Sequence, residues 1–166
     1  DGDFGTNMVA ALEQLDLDAV KDTYSAATVF EAVSEAYLGH AGGTSGALFG
    51  IWFRQFYRTM LESEPGTAAI AAAARAGLDS ITELGGARVG DKTMVDAIAP
   101  AVDALEKDGG TLQQAADAAK TGAESTEDMT ANRGRASYVG EAARGIVDPG
   151  ALVMAWFFDA AASSAN

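Results

Sequence analysis

The chain has 166 residues, 48% of them hydrophobic, enough for one domain with a buried core and too apolar for a disordered tail. A formal charge of −13, from 24 acidic and 11 basic residues, opposes binding to DNA, RNA or anionic lipid, so no nucleic-acid or membrane partner is expected. With no cysteine and one histidine, His40, disulfides, zinc–thiolate sites, thiol nucleophiles and multi-histidine metal centres are excluded, and any metal must be an oxygen-bound Mg²⁺, Ca²⁺ or Mn²⁺.

In chain order the pattern is helical nearly throughout, with Ala-rich stretches of 3.6-residue period and no runs rich in Val, Ile and Thr. Helices are expected at about 7–15 and 25–39, the first capped by Thr6 or Asn7. Leu48, Phe49, Trp52, Phe53, Phe56 and Met60 share one face of a helix at about 45–62, an aromatic stripe that reads as core rather than as a cofactor box. After the Pro65-Gly66-Thr67 turn, Ile70, Ala74, Gly77, Leu78, Ile81 and Leu84 form the next stripe. Met94, Ile98, Val102 and Leu105 continue the pattern, with Pro100 kinking that helix or lying at its boundary. Thr111 with Gln114 is a capping box opening a helix toward Met129, and Asp148-Pro149 supplies an N-cap and a first-turn proline for residues 151–162. That apolar stretch is about half the length of a membrane span and is broken by Asp159. No basic segment leads into an apolar one as in a signal peptide, and a cytoplasmic location is expected. The expected architecture is a single all-α domain over 1–166 with no internal repeat.

Glycines gather between these helices, several just ahead of a Ser, Thr, Asn or Asp that opens the next one, as where helix N-termini collect around an anion. Asp1-Gly2-Asp3 can turn two carboxylates toward one hard cation, or can be a turn with two solvated acids; it does not fit an EF-hand. Gly42-Gly43-Thr44-Ser45-Gly46 offers backbone amides and hydroxyls at a helix start, either a phosphate cradle or a plain capped turn. In Gly86-Ala87-Arg88-Val89-Gly90-Asp91-Lys92-Thr93, Asp91 separates glycine from lysine and no strand precedes, so a P-loop is rejected; Lys92 is left as a cation near phosphate or a solvated lysine, and Met94 as a surface for a base or a core residue. Arg133 and Arg135 suit bidentate phosphate contacts or surface ion pairs. No Ser–His–acid or Schiff-base lysine arrangement emerges.

Read in order, Asp1-Gly2-Asp3-Phe4-Gly5-Thr6-Asn7-Met8, Gly42-Gly43-Thr44-Ser45-Gly46, Gly90-Asp91-Lys92-Thr93-Met94, Gly134-Arg135-Ala136-Ser137-Tyr138 and Asp148-Pro149-Gly150-Ala151 resemble the L subunit or L domain of dihydroxyacetone kinases over essentially the whole chain. The resemblance implies an antiparallel helical barrel of about seven to eight helices with the nucleotide site at one end, in the interhelical loops. It implies ADP or ATP held through two Mg²⁺ ions, with Asp1 and Asp3 as two metal ligands and a third aspartate in an N-terminal segment expected to be missing upstream. Gly5, Thr6 and Asn7 match a nucleotide-contacting turn, and Thr44, Ser45 and Gly46 fall in the phosphate loop. Gly85, Met94, Arg135 and the Asp148-Pro149-Gly150 turn match the adenine and ribose region. Phe4 stands where many relatives carry His, so any polar contact from that position is lost.

The activity implied is a kinase acting only with a separate K subunit that holds dihydroxyacetone; the L component presents the phosphoryl donor and supplies no catalytic residue beyond its metal ligands. The donor is either exchangeable ATP or a bound ADP recharged by a phosphotransferase-system phosphocarrier. Two other readings stand beside it: a fatty-acid kinase-type L domain, whose start is also Asp-Gly-Asp-x-Gly-Thr-Asn-Met, and a non-catalytic nucleotide-dependent regulatory subunit.

Overall fold

The computed structural model describes residues 3–165, the side chain of Val20 apart, and shows seven α-helices, intervening 3-10 turns and, among the described residues, no strand. The helices are α1 (Phe4–Glu13), α2 (Ala26–His40), α3 (Gly43–Glu62), α4 (Thr67–Gly85), α5 (Val95–Glu106), α6 (Leu112–Ser125) and α7 (Pro149–Ser164). The all-α expectation is met, with boundaries close to those read from periodicity and caps. The first helix differs: Asp3 occupies its N-cap position, so Thr6 and Asn7 lie inside the first turn rather than capping it.

Local chemistry explains most of the other starts. Ser25 accepts from the Thr28 amide at 3.1 Å while the Ser25 amide donates to Thr28 Oγ1 at 3.0 Å, satisfying two donors that a helix start otherwise leaves open. Thr111 and Gln114 do the same for α6, at 3.2 and 3.0 Å. Asp148 Oδ2 accepts from the Ala151 amide at 2.8 Å, with Pro149 at the first helical position of α7.

The chain divides into two compact units, one ending at Gly85 and one beginning at Gly86. In the first, α2 packs on α3, α3 on α4, and α1 on both α2 and α3. Only Ala41 and Gly42 separate α2 from α3, so these two helices run as an antiparallel hairpin. Trp52, Phe49 and Phe56 are fully buried, each stabilising the unit by roughly 2–3 kcal/mol through burial, and Trp52 and Phe56 lie 5.1 Å apart between ring centroids. The aromatic stripe is therefore core, as its spacing predicts. Two small residues let the backbones close in. Ser34 Oγ donates to the Gly50 carbonyl at 2.9 Å across α2 and α3, and a Cβ at Gly77 would stand 2.5 Å from Trp52 Cε3. Leu84, expected in the α4 stripe, is 61% exposed, because the buried face of α4 ends at Ile81.

In the second unit α5, α6 and α7 all pack on one another. Val95, Ile98, Val102 and Leu105 of α5 are buried against the alanine face of α6, made by Ala115, Ala116, Ala119 and Ala123, and against Met154 and Phe158 of α7. Pro100 sits inside α5, not at its boundary. Having no N–H, it leaves the Asp96 carbonyl without its usual intrahelical partner. Gly122 of α6 covers that carbonyl so closely that a Cβ would overlap its oxygen and stand 3.0 Å from Pro100 Cγ.

Candidate functional site

In the first unit, two Gly-rich starts meet. α1 begins immediately after Asp3, and α3 begins after Gly42; neither Asp3 nor Gly42 places a side-chain cap on its helix. First-turn amides are the positive end of the helix dipole, and two such ends packed together favour an anion. They are joined at Asn7 and Gly42, where a Cβ on Gly42 would lie 3.1 Å from Asn7 Oδ1. Below that contact the Phe4 and Phe49 rings pack at 6.1 Å, so Phe4, a side chain without polar atoms, anchors α1 to α3. Gly5, Thr6 and Thr44 are exposed, Asn7 and Ser45 are half-buried, and Gly46 is buried because a Cβ there would overlap the Ala41 carbonyl. The structure thus brings the Gly5-Thr6-Asn7 turn to the loop that leads into Thr44, Ser45 and Gly46. Gly85 closes α4 in the same unit, 3.6 Å (as a Cβ) from both δ-carbons of Leu48.

The metal expectation is half-placed. Asp3 is at the head of α1, while Asp1 lies outside the described residues. Among the described residues no group of three His, Asp or Glu side chains is arranged to hold a metal. The oxygen donors and amide-lined helix starts that are present fit a hard cation with an anionic ligand better than any softer metal.

In the second unit, residues 86–96 and 126–148 are tied into one hydrogen-bonded knot. Asp96, 2% exposed in the first turn of α5, accepts from the Gly90 amide at 2.5 Å and from the Thr93 amide at 2.8 Å. The Asp91 carbonyl accepts from the Asn132 amide at 3.1 Å, and its carboxylate lies 3.7 Å from Arg133 Nε. Lys92 is neither a phosphate-facing cation nor a solvated lysine, the two roles its sequence context left open. It is 4% exposed and donates to the carbonyls of Thr126 at 2.5 Å and Ile146 at 2.6 Å. Sequence reasoning missed Asp96 and Thr126; the Thr93-x-x-Asp96 spacing of a capping box was the available signal for the former.

Met94 and the Asp148-Pro149-Gly150 turn meet in this unit, since a Cβ on Gly150 would be 3.5 Å from Met94 Cβ and 3.1 Å from Asp148 Oδ2. Met94 is buried, which leaves it a wall rather than an exposed surface. Arg135 stands exposed in the 3-10 turn Arg135–Tyr138 within the knotted segment. Burial pushes the Asp148 carboxyl up to about 6; the nearby Asp96 charge acts in the same direction, against the Ala151 and Gly150 amides and Lys92.

The whole described architecture has known counterparts. The DAK2 domain family matches residues 1–163. Over 96% of its length the chain is 40% identical to the L-erythrulose 1-kinase of Mycolicibacterium smegmatis, covering 30% of that protein. It is 32% identical over 96% of its length to the ADP-binding subunit DhaL of the PEP-dependent dihydroxyacetone kinase 1 of Listeria innocua, covering 79% of that subunit. A crystal structure of the dihydroxyacetone kinase from Citrobacter freundii in complex with AMP-PNP and Mg²⁺ superposes with a TM-score of 0.72 at 31% identity, over 99% of this chain and 28% of that one. The chain thus spans under a third of the long kinases and most of the DhaL subunit. By the extent of these matches, the chain belongs to the DAK2 domain family.

Proposed function

We propose that this chain is the nucleotide-presenting component of a short-ketose kinase, holding Mg²⁺-bound ADP or ATP for phosphoryl transfer to a dihydroxyacetone-like substrate carried by a K subunit or K domain. The observation that carries the reading is the meeting of the α1 and α3 starts at Asn7 and Gly42, which puts two uncapped helix N-termini beside Asp3. Support comes from the AMP-PNP and Mg²⁺ in the C. freundii kinase and from the ADP-binding description of the L. innocua subunit. In the same reading Asp1 and Asp3 hold two Mg²⁺ ions, and Thr6, Asn7, Thr44, Ser45 and the Gly5 and Gly46 backbones receive the phosphates. Gly85, Met94, Arg135 and the Asp148-Pro149-Gly150 turn receive the nucleoside and sugar.

Phosphoryl transfer asks the protein mainly for positioning and for neutralisation of charge on the transferring group. Mg²⁺ held by Asp1 and Asp3 would supply part of that neutralisation. The chain's own part is the amide-lined helix starts, whose dipoles are fixed before the ligand arrives and therefore need no reorganisation. No histidine or activated nucleophile is needed here, because the acceptor hydroxyl belongs to the substrate on the partner. AMP-PNP in the C. freundii kinase fits ATP as donor, and the PEP-dependent name of the L. innocua subunit fits a bound ADP recharged by a phosphocarrier, so both donor types stand within the reading. Calorimetric titration with ADP plus Mg²⁺ tests the reading: Asp3→Asn weakens binding by about 10- to 100-fold, the scale of losses at metal sites. Unchanged affinity in the variant, or no Mg²⁺ dependence in the parent, would sink it.

A further inference from the structure

Lys92 holds the only left-handed backbone conformation of a non-glycine residue among the described residues, with φ 61°. Such a conformation costs about 1–2 kcal/mol for an L-residue and persists only where the surroundings impose it. Its ammonium is buried, an expensive placement unless the donors are satisfied. It donates to two backbone carbonyls, those of Thr126 and Ile146, which stand at the two ends of the segment that carries Arg135. The same two ends are joined again by the Gly145 amide donating to the Glu127 carbonyl at 2.8 Å, and Thr126 Oγ1 accepts from the Asp148 amide at 2.8 Å. The strained backbone therefore delivers one charged group to the neck of a closed loop, where it bridges the end of α6 and the approach to α7.

We propose that Lys92 is a positioning residue for the nucleotide: it clamps the neck of segment 126–148 and thereby sets where Arg135 and the Asp148-Pro149-Gly150 turn stand. This rests on the nucleotide-binding reading above. The role differs from that of a P-loop lysine, because the ammonium is directed to main-chain carbonyls. Methionine at position 92 would keep most of the stem but leave both carbonyls without their donor, freeing the loop neck while α5, α6 and α7 keep their packing.

The test uses the whole chain and Mg²⁺ with ADP at a temperature well below unfolding. Lys92→Met is expected to bind ADP about 10- to 100-fold more weakly, the size of effect that misplacing a ligand-positioning group by about 1 Å produces, with helical circular dichroism unchanged. A purely structural lysine would lower the unfolding temperature without this loss. Arg135→Ala and the double variant supply the second readout. If Lys92 acts through Arg135, the double variant binds no worse than the weaker single variant, because the two losses are not additive. Lys92→Gln, which keeps a donor, covers the case in which Lys92→Met does not fold; recovery of part of the affinity supports the clamp. Parental affinity in Lys92→Met, a folded Lys92→Gln that binds no better than a folded Lys92→Met, or fully additive losses with Arg135→Ala would each overturn the clamp while leaving the nucleotide-binding reading intact. Failure of the parent itself to bind would overturn that reading and the clamp with it.

Discussion

Replacing Asp148 by Asn separates two opposing influences on the start of α7. The carboxylate caps the helix through the Ala151 amide, yet burial and the Asp96 charge raise its pKa from 3.8 to about 6. Lys92 does not reverse this, since its ammonium donates to the Thr126 and Ile146 carbonyls. A carboxyl that holds its proton more tightly when folded than when unfolded contributes stability while protonated, and loses it as pH rises from about 4 toward 6. A shift of about two units corresponds to about 3 kcal/mol of stability missing at neutral pH, taken as an upper bound. Asn retains an N-cap oxygen and carries no charge, so it resembles the protonated acid. Urea unfolding of both proteins between pH 4 and 8 should show Asp148→Asn more stable by about 1–3 kcal/mol at pH 7–8. The gap should close as pH falls through the window from about 6 to about 4. A variant less stable than the parent at pH 7, or a gap that does not move with pH, would show that the carboxylate is held by its partners rather than penalised by burial.

Glycine offers a paired test of the α5–α6 contact. Gly122→Ala should destabilise by about 2 kcal/mol or more despite the better helix propensity of alanine, because its Cβ meets a backbone carbonyl that no rotamer change can move. Gly39→Ala, in α2 with nothing within 4 Å, should stabilise by a few tenths to about 1 kcal/mol; equal effects on the two denaturation midpoints would refute the close-approach argument. Thr111→Ala removes the cap of α6 and should cost about 1 kcal/mol in the same assay, with Gln114→Ala costing no more than that.

The helices were legible because their signals are local. The period of Phe49, Trp52, Phe56 and Met60, the Thr111–Gln114 box and the Asp148-Pro149 start each depend on a few neighbouring residues, and each appears where its pattern places it. What could not be read were consequences of tertiary approach. Leu84 continues the α4 period perfectly well, yet lies past the end of the packed face. Pro100 reads as a kink or a boundary, and only the packed structure decides that the helix runs through it, with Gly122 closing over the carbonyl that the proline orphans. The candidate site divides along the same line. Which turns carry Gly, Thr, Asn and Ser is sequence information, while the contact between Asn7 and Gly42 that makes two of them neighbours joins residues 35 positions apart. Asp3 stands at the N-cap position of α1, where the sequence pattern expected Thr6 or Asn7, and Asp1 lies outside the described residues.

Lys92 shows why a near-miss to a motif deserves a physical rather than a lexical reading. A P-loop lysine reaches phosphate because the strand and helix on either side aim it there, and the preceding glycines leave amides free to cradle the same ligand. Here the glycine is followed by Asp91, whose carboxylate accepts from the Arg88 amide at 2.9 Å and turns the chain back on itself. Lys92 then enters the left-handed region, and its side chain runs inward to two carbonyls instead of outward to a ligand. The amides that a P-loop would offer to phosphate are also taken, those of Gly90 and Thr93 by the buried Asp96. With that lysine and those amides engaged inside the protein, the proposed reading leaves the phosphates to the starts of α1 and α3 and gives Lys92 the loop neck instead of the ligand. That division of labour is what the binding measurements on Asp3, Lys92 and Arg135 variants would separate: a loss of Mg²⁺ dependence at the first, and coupled losses of affinity at the other two.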